Sequence, residues 1–300
     1  MITACSDGAL EAGEDLLGTA PECTDFWLLI ESRDAFPAAV VKESPLADLL
    51  RPLTERLATE VPTSRVQFIR RTKRKGSDGG FKVFVANSQA GSRGIYEGSV
   101  SSHSELLDMD VADLKREGGV AGLADRSRPL VLLCTHGKRD RCCALHGRAF
   151  LDALGSDDVE DVWETSHLGG HRFAATCLTL PFGHYYGRLR PSEASAFMAS
   201  IREAQMHDLG SYRGDSRFSR RGQFAEGTLR RMLDDRDPNT LDYRGESHES
   251  PDQVIYSFFH RPTSKTYQLR IQESEAPLSR SKSCGKDEES FTTCTSTLAR

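Results

Sequence analysis

The chain has 300 residues, 38% of them hydrophobic and 28% charged, with a formal net charge of −5. This is the composition of a soluble globular protein long enough for one large domain or two to three smaller ones. The mild negative charge gives no ground for nucleic-acid or membrane binding. No apolar stretch approaches the ~18 residues of a membrane span, and the first residues lack the basic start and apolar run of a secretory signal. Eight cysteines in a chain without such a signal imply a reduced, cytoplasmic protein whose cysteine clusters serve metal or redox chemistry.

Periodicity along the chain predicts the same order of elements twice. Phe26 to Glu31 is an apolar run of buried-strand type, followed by a helix over Ser44 to Glu60 with leucines at three-to-four spacing. Val66 to Arg71, Phe81 to Val85 and Gly94 to Gly98 read as strands, and Ser104 to Arg116 as a closing helix. The second pass gives a strand at Leu130 to Leu133, a helix over Ala144 to Leu154 and a strand over Val159 to Thr165. A hairpin follows from Ala175 to Leu180 and Tyr185 to Leu189, and then a helix opened by Pro191 and running to about Met206. Each pass is β-α-β-β-β-α, the thioredoxin-like order with its first strand and helix trimmed. Parallel βαβ pairing with an antiparallel hairpin at the edge predicts mixed sheets with flanking helices, an α/β class.

The predicted organisation is therefore an N-terminal thioredoxin-like half at 1–120, a second such half at 121–210, and a C-terminal extension at 211–300. The extension carries a basic helix over Arg217 to Asp235 and a hairpin from Val254 to Phe259 and Thr266 to Ile271. From Ser279 onward Ser, Thr, Lys and Glu dominate, which predicts partial disorder.

The chemistry concentrates in two short stretches, Cys134-Thr135-His136-Gly137-Lys138-Arg139-Asp140-Arg141-Cys142-Cys143 and His167-Leu168-Gly169-Gly170-His171. Cys134 closes a strand and the Cys142-Cys143 pair opens a helix, so both face one crevice, and the helix's positive end favours thiolate there. The histidines follow the next strand, and the glycines between them let the backbone turn tightly enough for two imidazoles to face one metal. Strand ends of an α/β sheet are where sites form. Two Cys and two His suit tetrahedral zinc on ligand chemistry alone, but a Cys-x8-Cys spacing is not that of a compact zinc finger. A long first loop followed by a pair with three residues between its members instead resembles the thioredoxin-like [2Fe–2S] ferredoxins, with His in place of the second Cys pair.

With these residues in view, the chain resembles the sucrase/ferredoxin-like family, whose mark is Cys-x8-Cys followed by His-x-Gly-Gly-His. Cys134 with Cys143 and His167 with His171 fit the two elements. The surrounding Trp163 to Ala175, the Tyr186-Gly187 pair and Gly18-Thr19-Ala20 before Trp27 look similar as well. The resemblance spans roughly residues 5 to 235. It implies a thioredoxin-like ferredoxin half holding a [2Fe–2S] cluster on Cys134, Cys143, His167 and His171, with Cys142 as the alternative ligand. It implies no sugar chemistry, since no carboxylate pair stands apart from ordinary helix surface.

Such a protein is expected to be a one-electron carrier rather than an enzyme with its own substrate, working with a redox partner protein, either a reductase or an acceptor. Two imidazoles leave an oxidised cluster at about zero charge where four thiolates leave about −2, and the lower charge raises the potential. An imidazole also keeps a second nitrogen, so electron uptake is expected to couple to proton uptake. The rivals are a structural zinc protein and a thiol–disulfide oxidoreductase built on Cys134 and Cys142-Cys143, the latter disfavoured by the lack of Cys-x-x-Cys.

Other residues carry blander expectations. His136, Arg139 and Asp140 read as loop polarity, Cys177 as a small core residue, and Cys5 and Cys23 as free thiols. Cys284 and Cys294 lie in a polar tail, where neither pairing nor metal binding is expected. The run Arg70 to Lys75 lacks interleaved aromatics and reads as a solvated turn. Phosphate-loop, dinucleotide and zinc-protease motifs are absent.

Overall fold

The computed structural model describes residues 4–72, 79–111, 122–155, 158, 160–277 and 279–299. Helix α1 (Cys5–Glu11) precedes the first strand and was not expected from the sequence. Strand β1 (Phe26–Glu31) is buried at all six positions, which explains an unbroken apolar run where a half-exposed strand would alternate. The single helix expected over Ser44 to Glu60 is instead two, α3 (Pro45–Leu49) and α4 (Arg51–Glu60), preceded by a short α2 (Val40–Glu43). Pro52 causes the break, because it has no N–H to carry α3 onward and is tolerated only in the first turn of α4.

Strands β2 (Ser64–Arg71), β3 (Phe81–Asn87) and β4 (Gly94–Val100) match the expected positions and extend them. The expected helix from Ser104 is a short 3-10 turn over His103–Asp108, capped by Ser102 and Glu105, and residues 112–116 lie outside the described residues. Of the basic run, Arg70 and Arg71 belong to β2 and pair with Glu164 and Glu31; residues 73–78 lie outside the described residues.

The second half begins with β5 (Ala124–Asp125) and β6 (Leu130–Cys134), the latter buried throughout. Helix α5 (Arg141–Asp152) starts three residues earlier than the periodicity predicts, because Asp140 caps it by accepting the Cys142 N–H at 2.9 Å. Then come β7 (Val162–Thr165), β8 (Cys177–Leu180), β9 (His184–Tyr186) and α6 (Ala194–Arg202). Residue 159, the expected start of β7, lies outside the described residues. Helix α6 stops short of Met206, since Ala204 takes a left-handed backbone with φ of 54°. Strand β10 (Tyr212–Asp215) was missed; it is only four residues long and contains Gly214.

The C-terminal part adds α7 (Arg220–Leu233), β11 (Leu241–Ser250), β12 (Gln253–His260) and β13 (Lys265–Glu275). It closes with β14 (Arg280–Ser281), β15 (Glu288–Glu289) and β16 (Thr292–Leu298). The expected hairpin is thus the middle of a four-stranded sheet in the order β11-β12-β13-β16, with α7 packed between it and β10. The expected disorder beyond Ser279 is overturned. The Arg280 side chain is buried and ion-paired with Glu14 at 2.9 Å and Glu289 at 2.7 Å, and the β-branched run of β16 extends the ladder of β13.

The protein is mixed α/β, built on one ten-stranded sheet in the order β10-β9-β8-β6-β7-β2-β1-β3-β4-β5. β1 and β2 are parallel, β6 and β7 are parallel, and the two pairs meet where β2 runs antiparallel to β7. Outward from this joint the order is the same on both sides: β2-β1-β3-β4 on one and β7-β6-β8-β9 on the other. A buried cluster crosses the joint, packing Trp27, Leu29 and Phe84 with Leu132, Trp163 and Leu178. Because β7 opposes β2, the chain leaving β7 runs back along the start of β2, and this places the second half's loops against the first half.

Candidate metal centre

Cys134 is the last residue of β6 and is fully buried, its N–H donating to the Thr176 carbonyl at 3.0 Å. Helix α5 lies close against this strand end because residue 147 is glycine; a Cβ there would run into the Cys134 carbonyl. Cys142 and Cys143 sit in the first turn of α5, about 100° apart around its axis, so their sulfurs face different neighbours. Cys143 faces Cys134 and His167, and the donor atoms of these three lie within 4.8 Å of one another. The His167 Nδ1 is 3.9 Å from the Cys134 sulfur and 3.8 Å from that of Cys143. Cys142 faces Cys5 and Cys284 instead.

The first half anchors the segment that carries the histidines. Ser166 donates its N–H to the Phe68 carbonyl at 2.9 Å, and its own carbonyl accepts from the Gln67 amide at 2.6 Å. Arg65 reaches the His167 carbonyl at 3.3 Å. The turn that follows needs glycine: Gly169 and Gly170 have φ of 91° and 72°, and a Cβ on Gly170 would meet the buried Arg213 guanidinium. Arg213 holds the turn by donating to the Gly169 carbonyl at 3.1 Å.

His171 then stands beside His167 with the rings stacked and their centroids 5.6 Å apart. Its Nδ1 lies 3.3 Å from Asp140 Oδ2 and 3.3 Å from the Cys5 sulfur. Of the four residues expected to converge, three do so, and the fourth adjoins them through its ring. An imidazole whose Nδ1 faces a carboxylate offers Nε2 to a metal, the usual arrangement around ligating histidines.

His136 and Asp140, expected to be loop polarity, are buried and fully engaged, whereas Arg139 is exposed. The His136 Nε2 lies 2.8 Å from the Pro37 carbonyl, and its Nδ1 accepts the His167 N–H at 3.2 Å. Both contacts are satisfied only by a neutral ring protonated at Nε2, and burial lowers its pKa in the same sense. His136 therefore ties the loop after β1 to the backbone of His167. Asp140 accepts from Ser283 at 2.6 Å and from the N–H groups of Cys142 and Cys284 at 2.9 and 3.1 Å. Burial alone would raise its pKa, but these donors and His171 hold the carboxyl well below the usual range.

The thiols are unequal. The hydrogen bond from Cys143 holds the Cys134 thiol far below its ordinary value, with help from His167 and against the effect of burial. That same bond, with burial, pushes Cys143 up, so the pair keeps one proton between them. Cys142 is lowered to about 3 by the Cys5 thiol, against burial, with His146 and Ser6 assisting. Cys177 is a buried core residue on β8, as expected, and Cys23 is exposed and free.

Sequence reasoning missed His136 and Asp140 as supports of the histidines, and Cys5 and Cys284 as neighbours of Cys142. Asp140 carried a signal, since an Asp directly before a helical run is a cap. Cys5 and Cys284 carried none, standing 137 and 142 positions from Cys142.

These features define a mixed α/β protein whose Cys/His groups, gathered at the strand ends, can hold a metal. A sequence profile of the sucrase/ferredoxin-like family matches residues 16–214, well over half of the chain, and the protein belongs to that family. The match includes Cys134, Cys143, His167 and His171 and leaves out Cys5, Cys284, α7 and the four-stranded sheet. Neither a curated protein nor a solved structure matches the chain.

Proposed function

We propose that the protein is a one-electron carrier holding a [2Fe–2S] cluster on Cys134, Cys143, His167 and His171. The observation that carries this reading is the meeting of Cys134, Cys143 and His167 beside the stacked His171, inside the stretch that defines the family. The donor set fits the group: two soft sulfurs, one of them already favouring thiolate, and two imidazoles. The strand order repeated on either side of the β2–β7 joint supports a thioredoxin-like description of each half.

When bound, the cluster supplies a one-electron couple, and two neutral imidazoles in place of thiolates raise its potential well above that of an all-cysteine site. The chain's own residues do the rest. Cys134 and Cys143 are buried and exclude water, while His167 and His171 are only half-buried and form the exposed side of the centre. Asp140 favours a proton on Nδ1 of His171. His167 borders an open cleft of about 470 Å³ lined also by Val40, Val41, Lys42, Arg65 and Arg139. Apolar contacts ringed by cations suit an acidic redox partner, a reductase or an acceptor, and we assign docking to this cleft. The same reading assigns the carrier to the reducing cytoplasm, where cysteines that form no disulfide persist.

Visible absorption of anaerobically purified protein, with iron, sulfide and zinc assays, tests the proposal. Broad sulfide-to-iron bands with about two irons per chain are expected. A colourless zinc-loaded protein would replace the carrier with a structural staple, and a colourless metal-free one with thiol chemistry. Proton coupling is read separately from the potential, which should fall by up to about 59 mV per pH unit as pH rises. A potential flat from mildly acidic to alkaline pH removes that part of the reading.

A further inference from the structure

On the far side of α5 from the Cys134–Cys143 pair, a second group of soft donors gathers from three distant parts of the chain. Cys5 comes from α1, Cys142 from the first turn of α5, and Cys284 from the segment between β14 and β15. Their sulfurs are 3.5 Å apart for Cys5 and Cys142, 3.3 Å for Cys142 and Cys284, and 3.7 Å for Cys5 and Cys284. None of the three is in a disulfide. Asp140 Oδ1 lies 3.7 Å from the Cys5 sulfur, and all four donor atoms fall within 4.8 Å of one another.

These spacings are those of a tetrahedron around a single ion. Bonds of about 2.3 Å to sulfur set neighbouring sulfurs about 3.8 Å apart, and with an oxygen at about 2.1 Å a sulfur–oxygen edge of about 3.6 Å. A disulfide would instead need one pair at about 2 Å. The carboxylate is shared out to suit a ligand. Its Oδ2 accepts from Ser283 and the Cys284 N–H and faces His171, while Oδ1 takes one N–H and keeps a lone pair toward the sulfurs.

Around the group stand Ser6, 3.5 Å from the Cys142 sulfur and 3.2 Å from His146 Nε2, and His171, whose Nδ1 lies 3.3 Å from the Cys5 sulfur and 3.3 Å from Asp140 Oδ2. Three thiols and a carboxylate gathered without a disulfide are a donor set of the kind that zinc takes.

We propose that Cys5, Cys142, Cys284 and Asp140 form a zinc site, closed and structural, distinct from the Cys134, Cys143 and His167 group. All four coordination positions are filled by protein, so the ion binds no substrate. It ties α1 and the 280–289 segment to the helix that carries Cys143. This assignment does not depend on the iron–sulfur reading, because zinc and iron are counted separately.

The test is elemental analysis of full-length protein purified anaerobically and dialysed after incubation with zinc sulfate, for the wild type and for C284S and C143S. About one zinc per chain is expected in the wild type, lost roughly tenfold or more in C284S with iron unchanged, and kept in C143S while iron disappears. X-ray absorption at the zinc edge of the wild type needs no variant and should show three sulfur neighbours at about 2.3 Å. The proposal is overturned by a wild-type protein that retains no zinc, by zinc lost in C143S rather than C284S, or by two or fewer sulfurs at the ion. Loss of two titratable thiols to a disulfide within the group, without zinc, overturns it too. Missing iron with the zinc results intact would count against the electron carrier alone.

Discussion

Strand β1 ends at Glu31, whose carboxylate accepts the Lys82 N–H at 2.8 Å and lies 3.4 Å from the Arg71 guanidinium. Strand β6, in the corresponding place of the other half, ends at Cys134, whose sulfur faces Cys143 and His167. The two positions share one row of the sheet: Glu31 pairs with Ile69, Ile69 with Thr165 across the joint, and Thr165 with Cys134. An ion-paired carboxylate closes the strand end against its own sheet, whereas a thiol leaves a soft donor with room for a partner. The same scaffold is thus used once as a wall and once as a centre. The wall is needed, because Arg65, Gln67 and Pro37 of the first half hold the backbone and the orienting histidine of the second.

The sharpest way to test this contrast is at the two adjacent cysteines of α5. C143S should abolish bound iron and visible colour, and C142S should retain both, as measured by iron assay and absorption. Equal loss in the two variants would mean that the helix turn does not separate their roles. Next in size, H167C or H171C should keep a cluster but lower its midpoint potential by on the order of 100 mV or more, because each replaces a neutral donor with an anion. An unchanged potential in a redox titration would remove the histidines from the ligand set.

A smaller effect probes the wall. H136F leaves the His167 N–H and the Pro37 carbonyl without their shared partner, at a cost of about 1–3 kcal/mol in denaturant unfolding. Wild-type stability in that variant would show that the two halves meet without this tie. The smallest effect belongs to the row's other end. E31Q keeps an acceptor for Lys82 and loses only a half-exposed ion pair, so stability should change by at most about 1 kcal/mol and iron content not at all. A loss of iron in E31Q would break the division between wall and centre.

The elements that could be read from the sequence are those whose cause is local. β1 and β6 announce themselves as short apolar runs, and the Cys and His pairs as Cys-x8-Cys and His-x-Gly-Gly-His, each within a few residues. The glycine turn was readable for the same reason, since positive φ at Gly169 and Gly170 depends on residue type. What escaped depends on distant partners. Nothing beside Cys5 or Cys284 marks either as a neighbour of Cys142, and nothing beside His136 predicts the Pro37 carbonyl. The antiparallel meeting of β2 and β7 is a choice of edge, which periodicity does not encode. The polar tail looked unstructured because its order comes from Arg280 on Glu14 and from pairing with β13, not from apolar content.

The reliance of Asp140 on Ser283 and Cys284 has a consequence in time. Ser283 stands 143 positions after Asp140. At synthesis rates of about 5–20 residues per second, that separation lasts roughly 7–29 s. Once His171 has been added, and for most of that interval, a growing chain carries Cys134, Cys143 and both histidines, but not the residues that clamp Asp140. Delivery of a cofactor during synthesis would therefore meet an Asp140 still unclamped, and delivery afterwards one already held by Ser283 and Cys284.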